Sequence, residues 1–257
     1  MKLSGISMLT ALVSISAIFT GCTPAFHEEV TASDLDYSQL ELKMQHAMDP
    51  EGRFNRAKTY CMRQLVTTQQ SWMEPDLIQM VEVKFRRPDQ FKLTTYTDNE
   101  PESAIIINGK QGWAVNYRTE KVNPIKEAMM PRLNAMMQLT NPANRLRNVF
   151  QNISVDRSRI DDEDFYRLTC SNPGRNPIYI YAGCNDFLTR RMRMNLSFNT
   201  GSTLDYDSQM LRYSMYEGIR IPDESVVRQG GTKQHSKVIY YKLDTEIDDS
   251  EFRPPLF

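Results

Sequence analysis

The stretch FLTRRMRMNLSF, residues 187–198, constrains the fold more than any other feature of the chain. Leu188, Met192, Met194, Leu196 and Phe198 fall on one side of an extended backbone, and Arg191, Arg193, Asn195 and Ser197 fall on the other. A period of two is the mark of a β-strand, because successive side chains leave a pleated backbone on opposite faces. One apolar face and one polar face is the pattern of antiparallel sheet. The same period recurs at Val81, Val83 and Phe85, at Leu211, Tyr213 and Met215, and at Ile239, Tyr241, Leu243 and Ile247. Turn-forming runs punctuate these segments: RRPDQ, TDNEPES, INGKQG, SNPGRNP, GCND, NTGS and RQGGTKQ. Together they predict about ten or eleven strands.

Two regions break the pattern. Residues 35–48 carry Leu40, Met44 and Met48 at a four-residue spacing, which predicts a helix closed by Asp49-Pro50-Glu51-Gly52. Residues 124–150 read as two short helices, the second capped by Asn141 with Pro142 at its first position. A sheet with one apolar face must bury it against another layer. The expected class is therefore α+β, a curved, unclosed antiparallel sheet whose concave face is covered by helices.

The N-terminus has a cationic start, a charge-free run from Ile6 to Phe19 and small residues before Cys22. This is the pattern of an export signal. The run falls short of the roughly 20 apolar residues of a membrane span. Phe19-Thr20-Gly21-Cys22 is similar to a bacterial lipobox, with Phe in the place usually held by Leu. Residues 1–21 are thus expected to be a signal peptide, 22–34 a tether lipidated at Cys22, and 35–257 one domain. Multiple acyl chains on Cys22 would hold the protein at a membrane, since each buried methylene contributes about 0.8 kcal/mol. Thr23, rather than Asp, follows Cys22, and under the enterobacterial sorting rule this implies the outer membrane, facing the periplasm.

Export permits disulfides among Cys61, Cys170 and Cys184. A hairpin around SNPGRNP would set Cys170 opposite about Ile178 and leave Cys184 at its far end, beyond the ~7 Å Cα limit for a bridge. That geometry argues against a Cys170–Cys184 bond, and no other pairing is singled out.

Reactive chemistry is sparse. The 31 Lys and Arg balance 32 Asp and Glu, giving a net charge of −1 and no electrostatic case for nucleic acid. No G-x-S-x-G, H-E-x-x-H, P-loop or C-x-x-C occurs. The three histidines, His27, His46 and His235, fall in the tether, on the first helix and in a glycine-rich turn. The run DDED, residues 161–164, lacks the alternation and glycine of a calcium loop and reads as a hairpin turn. The sequence gives no residue to an enzyme, a cofactor or a metal.

The segment 81–122 resembles the LolA/LolB superfamily of bacterial outer-membrane lipoprotein carriers and acceptors. The resemblance rests on Arg87-Pro88 at a strand end, Phe91 in the next strand, and an Asn108-Gly109 hairpin followed by Trp113 and Tyr117. Residues 240–255, YYKLDTEIDDSEFRPP, resemble the superfamily's closing strand, with Asp248-Asp249 ahead of Phe252. The resemblance implies an unclosed β half-barrel whose covered cavity takes acyl chains of lipoproteins or lipids. It implies a gating role for Arg87, by hydrogen bonds to the lid over residues 124–150. Met129, Met130, Met136 and Met137 would line the lid; Met192, Met194, Leu196, Phe198 and Trp113 would line the cavity. Unbranched, polarisable methionines suit flexible chains. The carrier is soluble, whereas this chain carries an anchor signal, as the acceptor does. Two functions follow as expectations: an anchored acyl-chain binding protein, or an interaction or envelope-stress-sensing module with a periplasmic protein partner on the same fold.

Overall fold

The computed structural model describes residues 27–69, 75–130, 133, 137, 145–197 and 203–257. The signal segment, Cys22, Met136, Asn141, Phe198 and the side chain of Leu196 lie outside the described residues. The strands are β1 (Glu28–Ala32), β2 (Thr59–Gln69), β3 (Leu77–Arg86), β4 (Gln90–Thr97), β5 (Glu100–Asn108), β6 (Gln111–Asn116) and β7 (Lys121–Pro124), then β8 (Asn152–Ile160), β9 (Glu163–Ser171), β10 (Ile178–Gly183), β11 (Thr189–Ser197), β12 (Thr203–Tyr216), β13 (Ile219–Gln229) and β14 (Thr232–Leu243). They form one unclosed antiparallel sheet in the order β1-β8-β9-β10-β11-β12-β13-β14-β2-β3-β4-β5-β6-β7. The count is 14 rather than ten or eleven. Two of the extra strands are the edges β1 and β7, whose sequences EEVTA and KVNP carry no apolar alternation to announce them. β1 also falls inside the stretch read as tether, and pairs with β8 from Glu28↔Ile160 to Ala32↔Asp156.

The described residues divide into two compact units. Unit 1 comprises residues 56–137 and 234–257; unit 2 comprises residues 27–55 and 145–233.

In unit 1, Val81, Val83 and Phe85 share a face, as the alternation predicts, and all three are buried. Phe85 stands opposite Phe91, which stands opposite Ile107, so the apolar row crosses three strands. Tyr60 extends it by stacking on Phe85 at 5.2 Å and on Tyr241 at 5.9 Å. The hairpin between β4 and β5 turns on Asp98 and Asn99, both at positive φ, a conformation that Asn and Asp tolerate better than most residues.

In unit 2, helix α1 (Tyr37–Met48) begins with a capping box: Asp36 accepts from Gln39 N at 2.9 Å, and Gln39 Oε1 accepts from Asp36 N at 3.1 Å. The Asp49 carboxylate then accepts from the backbone N–H groups of Arg53 and Phe54, starting the one-turn helix α2 (Arg53–Arg56). α1 packs on β8 and β13, with Leu40 fully buried and Tyr37 nearly so. The DDED run is the β8–β9 turn, with Asp161 and Asp162 at positive φ.

Two strand phases differ from expectation. Leu211 and Met215 are exposed; Leu211 stands beside Arg212, on both sides of which the β12–β13 register shifts, and such a bulge breaks the alternation. In β14 the buried residues are Val238 and Tyr241, three apart, and Ile239 is exposed. Cys170 does face Ile178, and Cys61, Cys170 and Cys184 are all free thiols. Burial raises the Cys170 thiol to about 12.

Of the stretch 124–150, the described residues show a 3-10 turn at Glu127–Met129, helical backbone at 130, 133 and 137, and a second 3-10 turn at Leu146–Asn148.

Candidate functional site

The apolar face of unit 1 meets the start of that stretch at Gly112. Gly112 lies on β6 opposite Ile107, which is fully buried. Ile125 N donates to the Gly112 carbonyl at 2.8 Å, which continues the β6–β7 pairing one residue past Trp113↔Pro124 and holds Ile125 beside Gly112. A Cβ at Gly112 would stand 2.8 Å from Met130 Sδ and 3.2 Å from Ile125 Cδ1. The missing side chain is therefore what lets a methionine close down on the sheet. Met130 is 5% exposed, whereas Met129, one residue earlier, is 42% exposed.

Beside this contact lies an open pocket of about 440 Å³ bordered by Lys110, Gly112, Trp113, Ile125, Glu127 and Met130 among others. The pocket thus brings together two of the residues named from sequence, Trp113 and Met130. Trp113 also packs on the second face of the strands, against the cluster Ala104, Ile106 and Val115. Met137 is half-buried. Met192 and Met194 belong to unit 2, where they stand opposite Ile180 and Ile178 and are half-buried. Gly112 and Ile125 were not named from sequence. The signal for Gly112 was the glycine inside the strand QGWAVN, which marks a close approach.

Arg87 follows β3. Its Nε donates to the Ala57 carbonyl at 2.8 Å, and its backbone N–H donates to the Lys58 carbonyl at 2.9 Å. Arg86 points to the other face, as alternation requires, where it donates to Asp249 at 2.6 Å and to Gln90 at 2.6 Å.

Around Glu82 that second face is polar and yet covered. Glu82 is 4% exposed and is met by Arg63 at 2.7 Å and Lys84 at 3.3 Å. Hydrogen bonding to Glu82 raises the Arg63 guanidinium above its ordinary value. Burial works against the charged form of Lys84, but Glu251 and Glu82 outweigh it and hold its pKa above the usual lysine value. Among the described residues, no group of three or more His, Cys, Asp or Glu is placed to hold a metal ion.

No protein-family model matches the chain, and no curated protein matches it in sequence. Solved structures match it in fold. A LolA superfamily protein from Nitrosomonas europaea superposes with a TM-score of 0.58 at 13% identity, covering 86% of this chain and 98% of its own. A DUF1329 family protein from Desulfovibrio piger gives 0.57 at 11% identity, covering 83% and 94%. A domain assigned to outer-membrane lipoprotein sorting, from Vibrio parahaemolyticus, gives 0.50 at 10% identity, covering 83% and 97%. The chain has the LolA-like fold.

Proposed function

We propose that this protein is a lipid-anchored, periplasm-facing binding protein that accommodates acyl chains of lipoproteins or lipids against the apolar face of unit 1. The observation that carries this reading is the contact at Gly112, where Met130 and Ile125 close on the sheet beside an open pocket. An acyl chain entering there would be driven by apolar burial, at about 25 cal/mol per Å². Methionine suits the position because its thioether can shift without rotameric strain. In this reading Arg87 helps to hold residues 124–150 in place, and Cys22 carries the anchor to the outer membrane.

Retention of a fluorescent fatty acid, competed by an unlabelled one, tests the pocket. Gly112→Ala places a methyl group against the flexible end of Met130 and should speed release several-fold, leaving the melting temperature nearly unchanged. Equal retention by both proteins overturns the site. Cys22→Ser should move the protein from the membrane to the soluble periplasmic fraction; an unchanged distribution overturns the anchor.

A further inference from the structure

The second face of unit 1 does not balance its own charge. Lys84 and Lys92 are directly opposite one another across β3 and β4, and like charges in that position are destabilising. Both side chains are well covered, at 21% and 15% exposed. Arg63 and Arg86 share the face, and Glu82, the carboxylate that β3 itself contributes, is divided between Arg63 at 2.7 Å and Lys84 at 3.3 Å. The missing acid comes from elsewhere in the chain. Glu251 sits between the two lysines, 2.6 Å from each. Asp249 meets Arg86 at 2.6 Å.

Between and beyond these acids the segment is read by shape. Phe252 is fully buried, with the Arg86 guanidinium 4.9 Å over its ring. Asn108 Nδ2 donates to the Phe252 carbonyl at 3.4 Å. The segment 249–252 is one 3-10 turn that touches β4 and β5 without pairing as a strand. Past Phe252 the hold weakens: Phe257 meets Tyr117 edge-on at 6.0 Å, and Leu256 is fully exposed. Lys84, Arg86 and Lys92 are thus covered by a short acidic–aromatic segment held by side chains of the sheet.

We infer that this face, at Lys84, Arg86, Lys92 and Asn108, is a peptide-recognition site for an acid–x–acid–aromatic segment of a protein partner, and that Asp249–Phe252 occupies it in cis as a releasable strap. Charge complementarity identifies the partner's chemistry: the two acids answer three cations, and the aromatic ring fills the socket under Arg86. The site is separate from the acyl-chain pocket, so either can fail without the other. A cis occupant lowers the apparent affinity for a trans peptide by the fraction of time the site is open.

The test uses the full chain and a fluorescein-labelled peptide of sequence IDDSEFRPP. In the double variant Asp249→Asn, Glu251→Gln the strap is loosened but the receiving face is intact, so the peptide should bind at least about tenfold tighter than to the wild type. Adding Lys92→Glu should abolish that gain, and so should replacing the peptide's glutamate and phenylalanine by alanine. Hydrogen exchange on the wild type is the second readout: residues 249–257 should exchange well before β3 and β4. The inference is overturned if the folded double variant gains no affinity, or if it binds the alanine peptide equally well. It is equally overturned if the double variant loses its sheet, or if the strap exchanges only with the sheet, because the segment is then a fixed part of the fold.

Discussion

Units 1 and 2 solve the same problem differently. Each has a sheet face carrying charged side chains that are largely covered. In unit 2 the strands supply both signs. Asp156 stands opposite Arg167 across β8 and β9 and meets it at 2.9 Å, while Glu28 of β1 reaches the same guanidinium at 3.3 Å. Arg191 of β11 pairs with Asp207 of β12. Arg212 of β12 holds Asp223 at 2.7 Å and Glu224 at 3.0 Å, and the Arg212 hydrogen bond keeps the Asp223 carboxyl below its usual range. In unit 1 Lys84 and Lys92 face each other, Glu82 of β3 reaches Lys84 at 3.3 Å, and the acid that lies 2.6 Å from both lysines, Glu251, comes from outside the sheet. A face that pairs itself belongs to the fold alone. Under the inference drawn above, a face covered by an added segment can be opened.

That difference should appear as unequal costs. The largest effect is expected for Arg167→Met in unit 2. It leaves Glu28, 15% exposed, and Asp156 without their cation. Stripping one partner from a covered pair should destabilise by about 2 kcal/mol, discounted for the partial exposure of Asp156. A urea titration that finds under about 0.5 kcal/mol would erase the contrast. A smaller effect is expected for Glu251→Gln, about 1 kcal/mol or less, with the loss confined to the exchange protection of residues 249–257. If Glu251→Gln costs as much as Arg167→Met, the strap is as integral to unit 1 as the paired strands are to unit 2.

Acidity sharpens the same comparison. Burial opposes ionisation of Glu251, but Lys84 and Lys92 outweigh it and lower its pKa. A depressed carboxylate contributes stability that is fully present above its unfolded value, roughly pH 4.3, and is lost as pH falls through the depressed folded value. Strap protection should therefore be flat from neutral pH down to about 4 and decline only in more acidic solution. A decline near pH 6 would point to another group.

The parts of this design were unequally legible in the sequence. Val81, Val83 and Phe85 announced a strand face because nothing interrupts their alternation, and Leu40 announced α1 by its spacing. Leu211 and Ile239 misled, because bulges and breaks of phase are set by cross-strand register, which a single strand's pattern does not encode. The polar faces misled more. Arg193 alternates like a solvated residue yet is hydrogen-bonded to the fully buried Tyr181. Glu82 sits in VEVKF like an outward-facing charge and is 4% exposed. Which cover lies on the second face is decided by residues far along the chain, such as Glu251, 167 positions from Lys84. Gly112 was visible as a glycine in a strand, but its meaning depended on Met130 arriving from the next segment.

The central claim, that unit 1 holds acyl chains, is tested most directly by native mass spectrometry of Cys22→Ser protein purified from the periplasm without detergent. Without the covalent anchor, any lipid mass must be bound non-covalently. The account predicts a co-purifying species heavier than the polypeptide by one fatty acid or phospholipid, displaced by added fatty acid and reduced in Gly112→Ala. A single bare-polypeptide mass that stays unchanged after incubation with fatty acid and phospholipid would contradict it.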